Sequence, residues 1–187
     1  MGNPGPAYAL TRHNAGFILA DLLTDHWEFP PFRPDGPAAV TTGQVAGLGV
    51  LVAKPRTYMN RSGRAVAEIV ASRQLDPVRD LLVLVDDFAL PIGTFRLRAR
   101  GSDGGHNGLR SVEAAVGSPD YARLRAGVGP LPEEREDSAD FVLETMSRNE
   151  LNVLMDVAPE ICDAVECWIV EGIEVAMNRF NRRGVAE

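Results

Sequence analysis

Five apolar residues in a row, Leu81-Leu82-Val83-Leu84-Val85, run directly into two acids, Asp86 and Asp87. So short a run without a polar break suits a strand covered on both faces, as in sheets flanked by helices. Acids just past such a strand fall where the loops of open α/β sheets build their sites. Neighbouring segments point the same way. Gln44 to Ala53, rich in valine and leucine, reads as sheet, and Gly63 to Gln74 carries Ala65, Val66, Ile69 and Val70 at helical spacing. Strand, helix, strand is the order of an α/β protein. A helix is expected from Asn14 to Trp27, ended by the prolines from Pro30 to Pro37. Leu109 to Val116 reads as helix, Ala122 to Val128 as strand, and Arg148 to Arg182 mostly as helix with a break at Pro159. Thr94 to Arg100 alternates, placing Phe95, Leu97 and Ala99 on one face and Arg96, Arg98 and Arg100 on the other, a half-exposed strand with a basic side.

The 187 residues suit one core. No repeat or linker marks a boundary, so a single α/β domain over residues 1–187 is expected, with a twisted mixed sheet flanked by helices. No apolar run approaches the roughly 20 residues that span a bilayer, and the start lacks a signal-peptide pattern. Cytoplasmic location is the expectation. Cys162 and Cys167 sit five apart on one predicted helix without nearby histidines, a poor geometry for a disulfide or zinc site. The net charge of −7 argues against coating a phosphate backbone, although a local basic face remains compatible with it. Arginines 96, 98 and 100 read equally well as solvation of an exposed sheet face.

Three polar clusters attach to predicted strand ends or helix starts. The first is Gly2-Asn3-Pro4-Gly5 with Tyr8 and then Thr11-Arg12-His13-Asn14-Ala15-Gly16. The second is Tyr58-Met59-Asn60 with Ser62-Gly63, and the third joins Asp86-Asp87 to Gly104-Gly105-His106-Asn107-Gly108. A histidine deprotonates water, a carboxylate fixes its tautomer, and amides hold a carbonyl and its oxyanion. No serine in a nucleophile elbow and no cysteine beside a histidine competes, so attack by activated water is favoured. Each residue also has a plainer reading. Asn3, Asn14, Asn60 and Asn107 suit turns or helix caps, His13 suits a neutral hydrogen-bonded imidazole near a helix start, the aspartates suit a solvated loop, and His26 reads as a surface residue. The glycines from 101 to 108 lack the lysine of a P-loop, which argues against a nucleotide site.

In this order and spacing, the clusters resemble the bacterial peptidyl-tRNA hydrolase family, with a match running from about Gly2 to Arg182. The resemblance implies hydrolysis of the ester between peptide and tRNA. It implies that His13 is the catalytic histidine and Asp86 its partner. Asn3, Asn60 and Asn107 would bind substrate and orient water, Tyr8 would lie near the tRNA acceptor end, Met59 would wall the peptide channel, and His106, beside Asn107, would have a supporting role in the substrate site. Arg98 and Arg125 would hold the tRNA 5′-phosphate. Peptidyl-tRNA is the implied partner of a monomer, with neither metal nor organic cofactor.

The sequence departs from the family's pattern twice. The family's opening apolar strand has no counterpart before Gly2, so the sheet is expected to lack its first strand, through a misassigned start or a truncated chain. Asn3 and His13 would then be poorly placed. The stretch Pro130 to Asp140, basic and mobile in the family, is acidic here through Glu133, Glu134, Glu136, Asp137 and Asp140. Two competing functions stay open, a catalytically silent tRNA-binding or ribosome-associated relative and a general small-ester hydrolase.

Overall fold

The structure, a computed structural model, describes residues 1–132 and 138–181. Helix α1 (Ala15–His26) is followed by strands β1 (Arg33–Asp35), β2 (Ala38–Val45) and β3 (Leu48–Pro55), an antiparallel sheet in that order. β2 and β3 form a hairpin in register from Ala38 with Pro55 to Val45 with Leu48. Its turn residues Ala46 and Gly47 have φ of 50° and 81°, the backbone of a two-residue turn whose twist matches the flanking strands. The sheet segment expected over Gln44 to Ala53 is thus the end of one strand, a tight turn and part of the next. β1 lies inside the stretch expected as loop.

Helices α2 (Ser62–Ser72) and α3 (Pro77–Asp80) lead to β4 (Leu82–Pro91), followed by β5 (Phe95–Arg98), α4 (Asn107–Val116) and β6 (Ala122–Gly129). These strands form a mixed sheet ordered β4-β6-β5, with β4 parallel and β5 antiparallel to β6. β3 and β4 flank α2 as expected, but they belong to different sheets. β4 runs past the apolar residues, so Asp86 and Asp87 lie inside the strand, paired with Ala126 and Gly127. Helices α5 (Ser138–Leu143), α6 (Arg148–Glu171) and α7 (Ile173–Phe180) close the chain. α6 continues through Pro159 and ends at Gly172. Its buried stripe of Leu154, Ala158, Ile161, Cys162 and Val165 offsets the missing backbone bond by packing. Glu133, Glu134, Glu136 and Asp137, and Arg182 at the expected end of the last helical stretch, lie outside the described residues, while Asp140 sits in α5.

One core joins Leu97, Leu124, Ala126 and Val128 of the mixed sheet to α1, α6 and α7. A second joins Val83 and Val85 to Met59, Val66, Leu109 and Val112. The sheet is therefore covered on both faces, which is why its strands are nearly all apolar. The edge of β4 away from β6 carries no strand among the described residues. A cavity of about 620 Å³ lies there, lined by β3, α2, α1, α6 and Leu82 to Leu84. The Met1 amine donates to the Leu84 carbonyl at 2.7 Å, and its burial pushes its pKa down to about 5. Among the described residues, no helix is long and apolar enough to cross a membrane.

Candidate active site

The site is assembled by one turn, one strand and one helix start. His13 sits in the 3-10 turn Arg12–Asn14 that opens α1, and its Nδ1 lies 2.9 Å from Asp86 Oδ1 on β4. His106 Nε2 reaches the same oxygen at 3.0 Å. All three side chains are buried, Asp86 to 2% exposure. Burial alone would push the Asp86 carboxyl up. The ring N–H groups of His106 and His13 outweigh it and hold Asp86 well below the usual carboxylate range. An ionised carboxylate only accepts, so both ring nitrogens facing it carry the proton.

His106 is also the cap of α4. Its Nδ1 accepts from the Gly108 and Leu109 N–H groups at 3.1 and 3.2 Å, duties that usually fall to serine, threonine, asparagine or aspartate. The two bonds fix its tautomer independently of Asp86. Gly108 makes this possible, because a Cβ there would meet Met59 Sδ at 2.6 Å and the His106 ring at 2.9 Å. With its own Nδ1 spent on Asp86, His13 keeps Nε2 as its basic lone pair. Among the described residues, His13, Asp86 and His106 are also the one group of potential metal ligands. The two ring nitrogens of His106 are engaged, Nδ1 as a cap acceptor and Nε2 as a donor to Asp86, which leaves that ring no lone pair for an ion.

The asparagines divide. Asn14 was read as a possible cap, but its side chain instead grips Asn3, accepting from the Asn3 N–H at 2.7 Å and donating to the Asn3 carbonyl at 3.0 Å. Asn3 Oδ1 accepts from the Met59 N–H at 2.8 Å. Asn3 is therefore oriented with its oxygen committed and its amide N–H groups left for a ligand. The expectation that Asn3 and His13 would be poorly placed is not met, because these bonds fix both. Asn60 and Asn107 are exposed, and Asn107 accepts only a long bond from Arg110, 3.3 Å. Neither uses its side chain as a cap. Tyr8 meets the exposed Tyr58 edge to face, ring centroids 6.4 Å apart. Met59 is only 3% exposed and packs with Val83, Val85 and Leu109, so it underlies the site as core. His26 is exposed beside Glu166.

The basic face is real but partly spent. Phe95 and Leu97 turn inward while Arg96 and Arg98 are exposed. The register places Arg96 opposite Arg125 and Arg98 opposite Arg123. Arg125 donates to the Ser102 and Asp103 carbonyls at 3.1 and 3.2 Å and lies 3.4 Å from Asp87. Arg123, absent from the expected site, is 1% exposed. It stacks on Tyr121 and donates to the Gly101 and Pro119 carbonyls at 2.5 and 2.6 Å. Both brace the loop that delivers His106. Arg12, Asn14 and Arg123 were all missed as contributors. For Asn14 the signal was its adjacency to His13, whereas burial of Arg123 left no trace in the sequence pattern. Cys162 and Cys167 are buried free thiols, the first pushed up to about 11 by burial.

An α/β fold that presents an aspartate-held imidazole between a strand and a helix start defines a hydrolytic enzyme. The chain belongs to the peptidyl-tRNA hydrolase family, which it matches over residues 1–187. It is 48% identical to the peptidyl-tRNA hydrolase of Gemmatimonas aurantiaca over 184 residues, 97% of each chain. With that of Chloroflexus aurantiacus it shares 44% identity over 182 residues, 97% of this chain and 96% of the other. A crystal structure of a peptidyl-tRNA hydrolase complexed with N-propanol superposes with a TM-score of 0.90 at 32% identity, covering 100% of this chain and 94% of that one. The Acinetobacter baumannii enzyme gives 0.88 at 33%, covering 96% and 91%.

Proposed function

We propose that this chain hydrolyses the ester joining a peptide to tRNA, with His13 as the general base. The observation that carries the reading is the shared Asp86 Oδ1, which accepts a hydrogen bond from the Nδ1–H of His13 and so puts the ring's lone pair on Nε2. Nε2 removes a proton from water, and the resulting hydroxide oxygen bonds to the ester carbonyl carbon. The carbonyl electrons move to an oxyanion. Their return breaks the bond to the ribose oxygen, which takes the proton back from His13, releasing free peptide and tRNA. Asp86 stabilises the imidazolium between these steps.

The side chains of Asn3, Asn60 and Asn107 suit the peptide backbone and the attacked carbonyl, Tyr8 the acceptor end and Arg98 with Arg125 a terminal phosphate. Met59 would shape the peptide channel from below. A site built on hydrogen bonds penalises ligands without a second amide, which separates peptidyl-tRNA from aminoacyl-tRNA. The enzyme is taken as a cytoplasmic monomer, folded as one domain, that needs neither metal nor organic cofactor.

Release of an N-blocked amino acid from its tRNA by the chain and by His13→Ala tests the reading. Turnover that falls about 10²- to 10⁴-fold in the variant supports it. Binding of the tRNA without turnover by the unmodified chain would make it a silent relative. Equal cleavage of simple activated esters lacking RNA would make it a general esterase.

A further inference from the structure

His13 is flanked by two residues that reach different parts of the fold. Asn14 grips Asn3, and Arg12 enters the junction of α5 and α6. There its guanidinium lies 4.4 Å over the Phe141 ring, bonds Glu150 Oε1 at 2.5 Å and comes within 3.8 Å of Glu144 Oε2. The backbone is tied to the same place. The Arg12 N–H donates to the Glu144 carbonyl at 3.1 Å, the Met146 N–H donates to the Leu10 carbonyl at 2.9 Å, and Thr11 forms an antiparallel bridge with Thr145. Glu150 has a second duty. Its Oε2 accepts from the Ser147 N–H at 2.7 Å, completing the capping box that starts α6.

A guanidinium is an inefficient way to hold helices together. Arg12 is only 8% exposed, and its Nε–H is buried without an acceptor among the described residues. Buried donors left unpaired cost stability, and apolar side chains of similar volume often serve packing as well or better. Directional bonds supply something packing does not, a fixed orientation for the turn that carries them. Arg12 is one residue from the group that must meet water, and an error of about 1 Å in such a group costs up to about 10²-fold in rate.

We infer that Arg12 is a positioning residue, which locks the turn bearing His13 onto the cap of α6 through Glu150. The inference rests on the reading of His13 as base. Glu150→Gln isolates the link, because an amide oxygen still accepts from Ser147 while the ionic partner of Arg12 is gone. Arg12→Lys keeps the charge and removes the second guanidinium arm. Ser147→Ala weakens the cap alone and serves as the stability control. The expected result is a kcat about 10-fold lower in Glu150→Gln and Arg12→Lys, with KM within about twofold, and the pair non-additive when combined. The low-field Nδ1–H proton signal of His13 should broaden in both and persist in Ser147→Ala, even where all three melt at lower temperature. Wild-type kcat and an unchanged signal in Glu150→Gln and Arg12→Lys would reduce Arg12 to a strut and overturn the inference. His13→Ala with full activity would instead remove the reading beneath it, a distinct outcome in the same assay.

Discussion

The histidine–aspartate centre and the arginine face of β5 and β6 lie side by side and are built on opposite plans. Around Asp86 two ring N–H groups converge on one carboxylate oxygen and the His106 Nδ1 lone pair is taken by the start of α4, while His13 Nε2 is left for the reaction. On the arginine face four residues of one type line two paired strands, and they split. Arg123 and Arg125 hold the Gly101–Asp103 carbonyls, whereas Arg96 and Arg98 project outward. A reacting group is thus held by satisfying its surroundings, and a binding surface is made by leaving some charges unsatisfied. Residue type does not distinguish the two, and neither does the pleat, which puts all four arginines on one face; depth does, with β6 central and β5 at the edge.

The largest effect should come from the centre. Asp86→Asn places an amide where two ring N–H groups converge, so His13 loses its fixed tautomer, and kcat should fall about 10³-fold or more with modest change in KM. A loss below about tenfold would mean that Asp86 orients nothing the reaction uses. Next comes Arg123→Ala. It leaves buried carbonyls and Glu113 without their cation, and should cost about 3–5 kcal/mol in a denaturant melt. Residual folded enzyme should still bind tRNA, since Arg123 is out of reach of a ligand.

Arg98→Ala is the converse. The melting temperature should not move, while KM for peptidyl-tRNA rises several-fold and its logarithmic salt dependence becomes shallower by about one unit. Arg125→Ala should do both, because that side chain is shared between loop and surface. If Arg98→Ala and Arg125→Ala proved identical, the division drawn between them would fail. The smallest effect concerns pH. Asp86 is held below the ordinary carboxylate range, so the stability it confers is complete above its unfolded value near about 4. It is lost as pH falls through the lower folded value. The stability gap between wild type and Asp86→Asn should hold steady from about pH 5 upward and narrow below about pH 4, read from urea melts at stepped pH.

Periodicity carried much of the fold. The apolar run Leu81 to Val85 and the alternation from Phe95 to Arg100 marked β4 and β5, since both patterns come from burial on sheet faces. The hairpin escaped because β2 contains Thr41, Thr42 and Gln44, a polar stretch whose pairing with β3 is a long-range property. The passage of α6 through Pro159 escaped for a related reason, because a local rule was overridden by distant packing. At the site, His13, Asp86 and His106 were legible as chemistry. Their geometry was not, because the cap of α4 and the grip of Asn14 on Asn3 link residues by atoms that no spacing rule addresses. Met59 was legible as apolar, but its burial in the second core was not.

The cavity beside β4 makes the molecule mechanically uneven. The partly open, apolar cavity of about 620 Å³ next to Leu82–Leu84 leaves its lining less closely packed than the cores, and pressure drives water into such under-packed regions. The β3–β4 side should therefore be the soft side of the molecule under compression. The β6 side, with Leu124, Ala126 and Val128 fully packed, should yield later. High-pressure amide spectra would then register Leu51–Ala53 and Leu82–Leu84 first, at pressures where the His106 end of the site is still intact.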